Sequence, residues 1–267
     1  MAINRQQFRE ACTDIVAGIV NWRVWYFLGL TDIRLRYRRT IIGPFWMTLS
    51  TGIMITAMGF VWGILFKADL EQFFPYLAAG LVTWFLISTM VTESTDAISG
   101  RPDSLKDFNL PISYIALRLV LRNFIVFLHN VIVYFVVALV FGTGFLTAFL
   151  PLALLGLFLL LVNGVWISII ISIVGARFRD IQQLVTAVMT ILFLITPIMW
   201  QRHLLGENQF IAILNPVTHF IELVRQPLLG YPPPILSLVV ILCITVIGWT
   251  GALLLLARTR RRIVFWL

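Results

Sequence analysis

Long apolar stretches alternate with short polar ones along the whole chain. A helix of about 20 apolar residues crosses the hydrocarbon core of a bilayer. Within the first stretch, small residues such as Gly59 and Gly63 recur at helical spacing, which predicts close helix packing. The pattern predicts six transmembrane helices, over residues 41–66, 73–98, 112–141, 146–175, 184–200 and 235–257. We therefore expect an all-α integral membrane protein with a six-span domain at 41–257.

Residues 1–40 precede the first span and differ from it, because charged side chains interrupt their apolar positions. This mixture predicts an N-terminal amphipathic helix that lies in the cytoplasmic interface of the membrane. The helix leads into a basic segment made of Arg34, Arg36, Tyr37, Arg38 and Arg39. Because arginine avoids hydrocarbon, this basic segment marks the cytoplasmic side of the first span.

Two further polar stretches lie between the spans. Residues 99–111, SGRPDSLKDFNLP, form either a plain loop or a short cytoplasmic helix that docks on a partner. Residues 201–234 contain apolar pieces too short to cross, so we expect short, re-entrant outer-face helices between spans five and six. The dipeptide Asn215–Pro216 is a helix-start signal, and the spacing of Glu222 and Arg225 allows them to pair.

Composition agrees with a membrane protein and indicates its orientation. The chain is 60% hydrophobic and 12% charged, with a net charge of +8. Seventeen of its 20 Lys and Arg residues fall at predicted inner ends, including those of the basic tail 258–267. This bias predicts that both termini are cytoplasmic, and it accounts for the positive charge without a nucleic-acid partner.

The chain carries no recognisable motif for ATP hydrolysis or metal-dependent catalysis. Its two lysines, Lys67 and Lys106, do not follow a glycine, so the sequence has no phosphate-binding loop. Mid-span acidic residues, which ion-coupled carriers commonly use, are missing as well. We expect no catalytic residue, metal or cofactor in this chain, and expect another subunit to supply the energy for any transport.

The basic segment and the residues after it resemble a known family. The pattern R-x-R-Y-R-x-(S/T)-x-x-G-P-x-W is matched by Arg34, Arg36, Tyr37, Arg38, Thr40, Gly43, Pro44 and Trp46. It is similar to the start of the permease subunits of ATP-binding-cassette exporters for polysaccharides, O-antigen, capsule and teichoic acid. The run NPVTHFIELVR at 215–225 resembles a later segment of the same permeases.

The resemblance implies a bacterial inner-membrane permease that exports a lipid-linked polysaccharide. It also implies a homodimer with the pathway between protomers, and two ATP-binding subunits that hold ATP and Mg²⁺. Coupling to these subunits is expected at Arg101, Asp103, Leu105, Lys106, Asp107 and Phe108. The gate for the lipid headgroup is expected in the basic segment, at Arg34, Arg36, Tyr37, Arg38 and Arg39. Aromatic residues expected along the pathway are Phe45, Trp46, Trp84 and Phe85.

Other interpretations of the same residues stay open. Each arginine of the basic segment serves at least equally well as a topological anchor. For most of the aromatic residues, contact with lipid or with the membrane interface is the better interpretation. A membrane enzyme acting on a lipid-linked glycan would need clustered carboxylates, and Glu93, Asp96, Asp103 and Asp107 show no catalytic spacing. An exporter of the same architecture that carries another lipid or a drug is the third possibility.

Overall fold

A computed structural model of the protein describes residues 4–38, 43, 45–100, 111–143, 148–263 and 265–266. In chain order the helices are α1 Arg5–Val20, α2 Trp22–Tyr37, α3 Phe45–Leu65, α4 Leu70–Ser94, α5 Ile112–Val140, α6 Leu150–Arg177, α7 Ile181–Ile195, α8 Phe210–Leu214, α9 Pro216–Leu228 and α10 Ile235–Ile263. A 3₁₀ segment, Arg202–Gln209, connects α7 to α8. The predicted all-α class is confirmed for the described residues.

Five of these helices, α3, α4, α5, α6 and α10, are long and apolar enough to cross a membrane. The predicted fifth span, 184–200, corresponds instead to the 15-residue helix α7, which ends at Ile195. Pro197 disfavours helical backbone at Thr196, which is extended at φ −86° and ψ 134°. At 1.5 Å per residue α7 is about 22 Å long, shorter than the hydrocarbon core.

Helix α4 lies at the centre of the bundle and packs against α3, α5, α6, α7 and α9. Its buried side chains include Phe73, Leu77 and Leu81, which belong to the largest apolar core. On α3, Gly59 lies so close to the ring of Phe74 that a Cβ atom there would clash. The close packing predicted from small residues on α3 is thus confirmed at this position. By contrast, most of α3 and α7 stays exposed on the protomer.

The N-terminal region forms two helices where the sequence predicts one. The break falls at Asn21, whose φ of −90° and ψ of 42° are not helical. Helix α1 packs on α10 and α5, whereas α2 packs mainly on α5. Apolar side chains such as Val20 and Phe27 remain exposed on this pair. These exposed residues give the two helices the mixed surface expected of an interfacial segment.

The segment after α7 turns back into the bundle. Asn215 is the N-cap of α9, and its side chain accepts a hydrogen bond from the Val217 backbone N–H at 3.0 Å. Pro216 occupies the first turn, where its missing N–H costs nothing, so the predicted helix start is confirmed. Helix α9 packs against α4, α6 and α10 and buries most of its side chains. It is therefore a buried helix and does not lie on an exposed face.

Candidate functional site

A cluster of ionised side chains ties together the ends of α2, α4 and α5. We call it the charge cluster, and it consists of Asp32, Arg36, Glu93, Arg118 and Arg122. Helix α2 contributes Asp32 and Arg36, helix α4 contributes Glu93, and helix α5 contributes the two remaining arginines. Arg118 donates two hydrogen bonds to the carboxylate of Asp32, one from Nε to Oδ2 at 2.7 Å and one from Nη2 to Oδ1. We call this bidentate pair the fork, and it is stronger than an arginine–carboxylate pair with a single hydrogen bond.

Glu93 holds the other half of the charge cluster. Its Oε2 accepts hydrogen bonds from Arg122 Nη2 at 2.6 Å and from Asn123 Nδ2 at 2.8 Å. Its Oε1 accepts from Arg36 Nη2 at 2.9 Å. Arg122 also lies 3.7 Å from Asp32, so the two carboxylates share one arginine. Three helices are therefore joined by one continuous network of ion pairs.

The gate residues predicted in the basic segment separate into two groups. Arg34 and Arg38 are exposed on the surface of α2 and just beyond its end. Arg36 is not free for a headgroup, because it pairs with Glu93. The hydroxyl of Tyr37 contacts the sulfur of Met47 on α3, and burial raises the pKa of Tyr37. Arg39 lies outside the described residues.

The residues predicted to couple to a partner, Arg101 to Phe108, lie outside the described residues. The chain on their C-terminal side is held by Asp14 of α1. Its carboxylate accepts hydrogen bonds from the backbone N–H groups of Ile112 at 3.2 Å and Ser113 at 3.0 Å. It is also paired with Arg260 Nε of α10 at 3.0 Å. Asp14 thus caps α5 and joins α1, α5 and α10 where the predicted coupling segment ends.

The aromatic residues predicted along the pathway occupy three different environments. Phe45 and Trp46 are more than half exposed at the start of α3. Trp84 is buried against Phe193 of α7, with ring centroids 5.4 Å apart, so it faces the core and not an open surface. Phe85 is partly buried and lines a cavity between α3, α4 and α5. Of the four, Trp84 is the one whose predicted role the packing argues against.

The residues predicted on outer-face helices form a buried polar group around α9. The predicted pair of Glu222 and Arg225 is wrong. Glu222 is paired with Arg202 at 3.4 Å and accepts a hydrogen bond from Ser237 at 2.9 Å. Arg225 donates to the carbonyl of Pro197 at 2.6 Å, and its guanidinium lies over the ring of Tyr76. Spacing along one helix did not reveal that both partners come from other segments.

His219 also belongs to this polar group, because it contacts Ser237, the residue that donates to Glu222. Its Nε2 lies 2.8 Å from the carbonyl oxygen of Ile213 and its Nδ1 lies 2.9 Å from the hydroxyl of Ser237. A carbonyl only accepts, so Nε2 carries a proton. The chain His219–Ser237–Glu222 fixes the orientation of α9 relative to α10. Among the described residues, no group of His, Cys, Asp and Glu side chains is arranged to hold a metal ion.

The sequence indicated the basic segment, but most of the partners in the charge cluster and around α9 were not predicted from it. No local pattern indicated the partners of Asp14, Asp32 and Ser237, because each of them contacts residues from a different helix. The signal that was available is the pair of arginines one turn apart at the start of an apolar helix. Two such charges require acidic partners, which the sequence alone does not locate.

Comparison with known proteins agrees with this architecture. Residues 23–229 match the family model described as ABC-2 type transporter. An O-antigen export system permease protein, RfbA, from Myxococcus xanthus is 22% identical over 70% of this chain and 72% of the relative. The polysialic acid transport protein KpsM from Escherichia coli is 26% identical over 76% of this chain and 81% of the relative. The matched region includes α3 to α9 and the whole charge cluster, and the chain therefore belongs to the ABC-2 type transporter family.

Proposed function

We propose that this protein is the permease subunit of an ATP-driven exporter of a lipid-linked polysaccharide in the bacterial inner membrane. The observation that carries the proposal is the similarity to O-antigen and polysialic acid permeases over about three quarters of the chain. The protomer's apolar helices and its charge cluster are compatible with that role. Energy comes from a separate ATP-binding subunit, to which ATP and Mg²⁺ bind.

The working assembly is a homodimer of this chain with two ATP-binding subunits. Helices α3 and α7 flank α4 and expose large apolar side chains such as Ile53, Ile64 and Ile191. In a dimer these faces are covered by the second protomer or by lipid, and the glycan pathway lies between protomers. Helix α7, continued by residues 196–200, makes the remaining crossing. Six crossings place both termini in the cytoplasm, as the distribution of Lys and Arg favours.

The charge cluster supports a route for coupling. The segment 99–111 connects α4 to α5 and is the proposed contact with the ATP-binding subunit. Both helices are joined to α2 near that connection, through Glu93 and Arg118. Movement of the segment therefore carries the basic segment with it, including Arg34 and Arg38, the arginines that the protomer leaves exposed for an anionic headgroup.

Deleting the gene in the native host and complementing it tests the function. The glycan should disappear from the cell surface, while the complete lipid-linked glycan accumulates inside the cell. A membrane enzyme acting on the glycan gives a different result, in which the internal glycan is truncated or chemically altered. Normal surface glycan in the deletion strain refutes the proposal. The complex is checked by purifying the tagged chain in mild detergent and measuring ATP hydrolysis of what accompanies it.

The coupling step is tested with variants in the complemented strain. Arg118→Met removes the fork that joins α5 to α2. It should stop export while the ATP-binding subunit still co-purifies. Arg23→Met, on the same helix as Asp32 but outside the charge cluster, is the matched control and should export normally. Export by Arg118→Met at the wild-type rate excludes the charge cluster from coupling.

A further inference from the structure

A short chain of buried polar contacts ties α8, α9 and α10 together. Nε2 of His219 lies 2.8 Å from the carbonyl oxygen of Ile213, and Nδ1 lies 2.9 Å from the hydroxyl oxygen of Ser237. That hydroxyl oxygen lies 2.9 Å from Oε2 of Glu222. His219 is 2% exposed, Glu222 4% and Ser237 1%. Bulk water therefore does not hydrogen-bond to these groups in place of the three contacts.

The three contacts require three hydrogens, and the usual ionisation states of the side chains provide two. The hydroxyl of Ser237 brings one hydrogen, and a neutral imidazole brings one. The carbonyl of Ile213 and an ionised carboxylate only accept. With a neutral His219 and an ionised Glu222, one of the contacts would join two lone pairs, whichever tautomer the imidazole adopts. One additional proton completes the chain.

The additional proton has two available positions, and the hydroxyl of Ser237 connects them. On His219 it makes an imidazolium, whose Nδ1 donates to Ser237 while Ser237 donates to Glu222. On Glu222 it makes a carboxylic acid, which donates to Ser237 while Ser237 donates to Nδ1 of a neutral imidazole. Each of the three contacts holds one hydrogen in both arrangements. The proton therefore passes between the two ends of the chain without movement of the heavier atoms.

The charged groups nearest to this chain are two arginines, which oppose a further positive charge. Arg202 of the 3₁₀ segment lies 3.4 Å from Oε1 of Glu222. Arg225 of α9 donates to a backbone carbonyl, and its guanidinium lies over the ring of Tyr76 of α4. Helices α6, α8 and α10 also pack on α9, and their only charged side chains are arginines near the C-terminal ends of α6 and α10, while Cys243 of α10 is exposed. Hydrogen bonding thus holds the proton against charge repulsion, which makes the proton exchangeable.

We propose that His219, Ser237 and Glu222 form a proton-binding site, in which one exchangeable proton completes the contacts among α8, α9 and α10. When the proton leaves, one of the three contacts is lost and α9 is held less firmly against its neighbours. The site comes closest to water at Arg202, whose side chain is 31% exposed. The proton count does not depend on the proposed function. In the proposed topology the site lies toward the outer side of the membrane, so its contacts respond to the pH outside the cell membrane.

Solid-state NMR of the full-length chain in lipid bilayers tests the proton count when the histidine imidazoles are labelled with ¹⁵N. The chain has three histidines, so replacing each in turn by Gln assigns the signal of His219. Infrared difference spectra between the wild type and Glu222→Gln detect a carboxylic acid at Glu222. At neutral pH the wild type should show an imidazolium at His219 or a carboxylic acid at Glu222. A neutral imidazole together with an ionised carboxylate overturns the inference.

Glu222→Gln provides the second test, because an amide of the same shape brings its own hydrogens. Its N–H donates to Ser237, and Ser237 donates to Nδ1 of a neutral His219, so all three contacts are complete without an additional proton. Loss of the ion pair with Arg202 lowers the stability of this variant at every pH alike and leaves the slope against pH unaffected.

The pH dependence of unfolding in mild detergent distinguishes the two proteins. Above about pH 6.5 a free imidazole is mostly neutral, so the folded wild type binds one proton more than the unfolded chain. Its equilibrium constant for unfolding should then rise by up to about tenfold per pH unit, and Glu222→Gln should lose this rise. His203→Gln is the matched control and should keep it, because His203 is exposed and lies outside the site. Equal pH dependence in the wild type and Glu222→Gln overturns the inference, and so does its loss in His203→Gln.

Discussion

Removing Arg118 should destabilise the protein far more than removing Arg36, although both arginines pair with a carboxylate of the charge cluster. The side chains of Arg118 and Asp32 are 19% and 6% exposed, whereas that of Arg36 is 38% exposed. Breaking a buried ion pair costs about 3–5 kcal/mol, and an exposed pair contributes about 0–1 kcal/mol. The comparison therefore separates a buried bidentate ion pair from a more exposed one, and α2 contributes one partner to each pair.

The size of each stability loss depends on which hydrogen-bond and ion-pair partners Asp32 and Glu93 keep after the substitution. In Arg118→Met, Arg122 stays 3.7 Å from Asp32 and continues to neutralise part of its charge, so we expect a loss near 3 kcal/mol. In Arg36→Met, Glu93 keeps its hydrogen bonds from Arg122 and Asn123, so we expect a loss below 1 kcal/mol. Methionine preserves the length of the apolar stem in both variants.

Thermal unfolding of the purified chain in mild detergent measures the difference. For a chain of this size, 1 kcal/mol corresponds to about 2–4 °C, so Arg118→Met should lower Tm by about 6–12 °C and Arg36→Met by less than 4 °C. A double-mutant cycle with Asp32→Asn should give a coupling energy of about 2 kcal/mol for the Asp32–Arg118 pair. Equal losses in the two single variants, or additivity in the cycle, would refute the reasoning.

Three further predictions concern contacts between helices. Asp14→Ala removes the cap of α5 and should lower the free energy of unfolding by about 0.5–2 kcal/mol. The backbone amides at the start of α5 should then exchange hydrogen faster, and unchanged exchange would contradict the prediction. Gly59→Ala should lower Tm because the new Cβ atom meets the ring of Phe74 on α4. Gly52→Ala is the control and should leave Tm unchanged, because its new Cβ atom would lie 3.8 Å from the nearest side-chain atom. Similar Tm values in the two variants would contradict the prediction. The hydrogen bond from Arg261 holds the pKa of Glu10 below its ordinary value. That stabilisation is present above the unfolded-state pKa of Glu10 and is lost as the pH falls through the lower folded value, so Tm should fall in acid. Glu10→Gln should reduce this pH dependence but leave the Asp14–Arg260 pair between the same helices in place, and an unchanged pH dependence of Tm in the variant would contradict the prediction.

The spans could be predicted from sequence because length and apolar composition are local properties. The end of α7 was also visible in the sequence, since Pro197 disfavours helix at the preceding residue, yet the apolar run through Trp200 suggested a longer span. Contacts such as Asp32–Arg118, 86 residues apart, could not be predicted, because no local pattern encodes which helix a carboxylate will meet. The coupling role of residues 99–111 stays a prediction.

Helix α4 links the two polar groups of the protomer. Near its C-terminal end, Glu93 belongs to the charge cluster. Near its N-terminal end, the hydroxyl of Tyr76 donates to the carbonyls of Pro197 and Trp200. The ring of Tyr76 also lies under the guanidinium of Arg225. Seventeen residues of helix separate the two, a distance of about 26 Å. Because α4 is the most buried of the five long helices, it is poorly suited to bending between these points. In the proposed exporter, a displacement imposed at the charge cluster would therefore reach α9 as a movement of the whole of α4. The exposed helices α3 and α7 would have fewer contacts to break if the proposed pathway opens beside them.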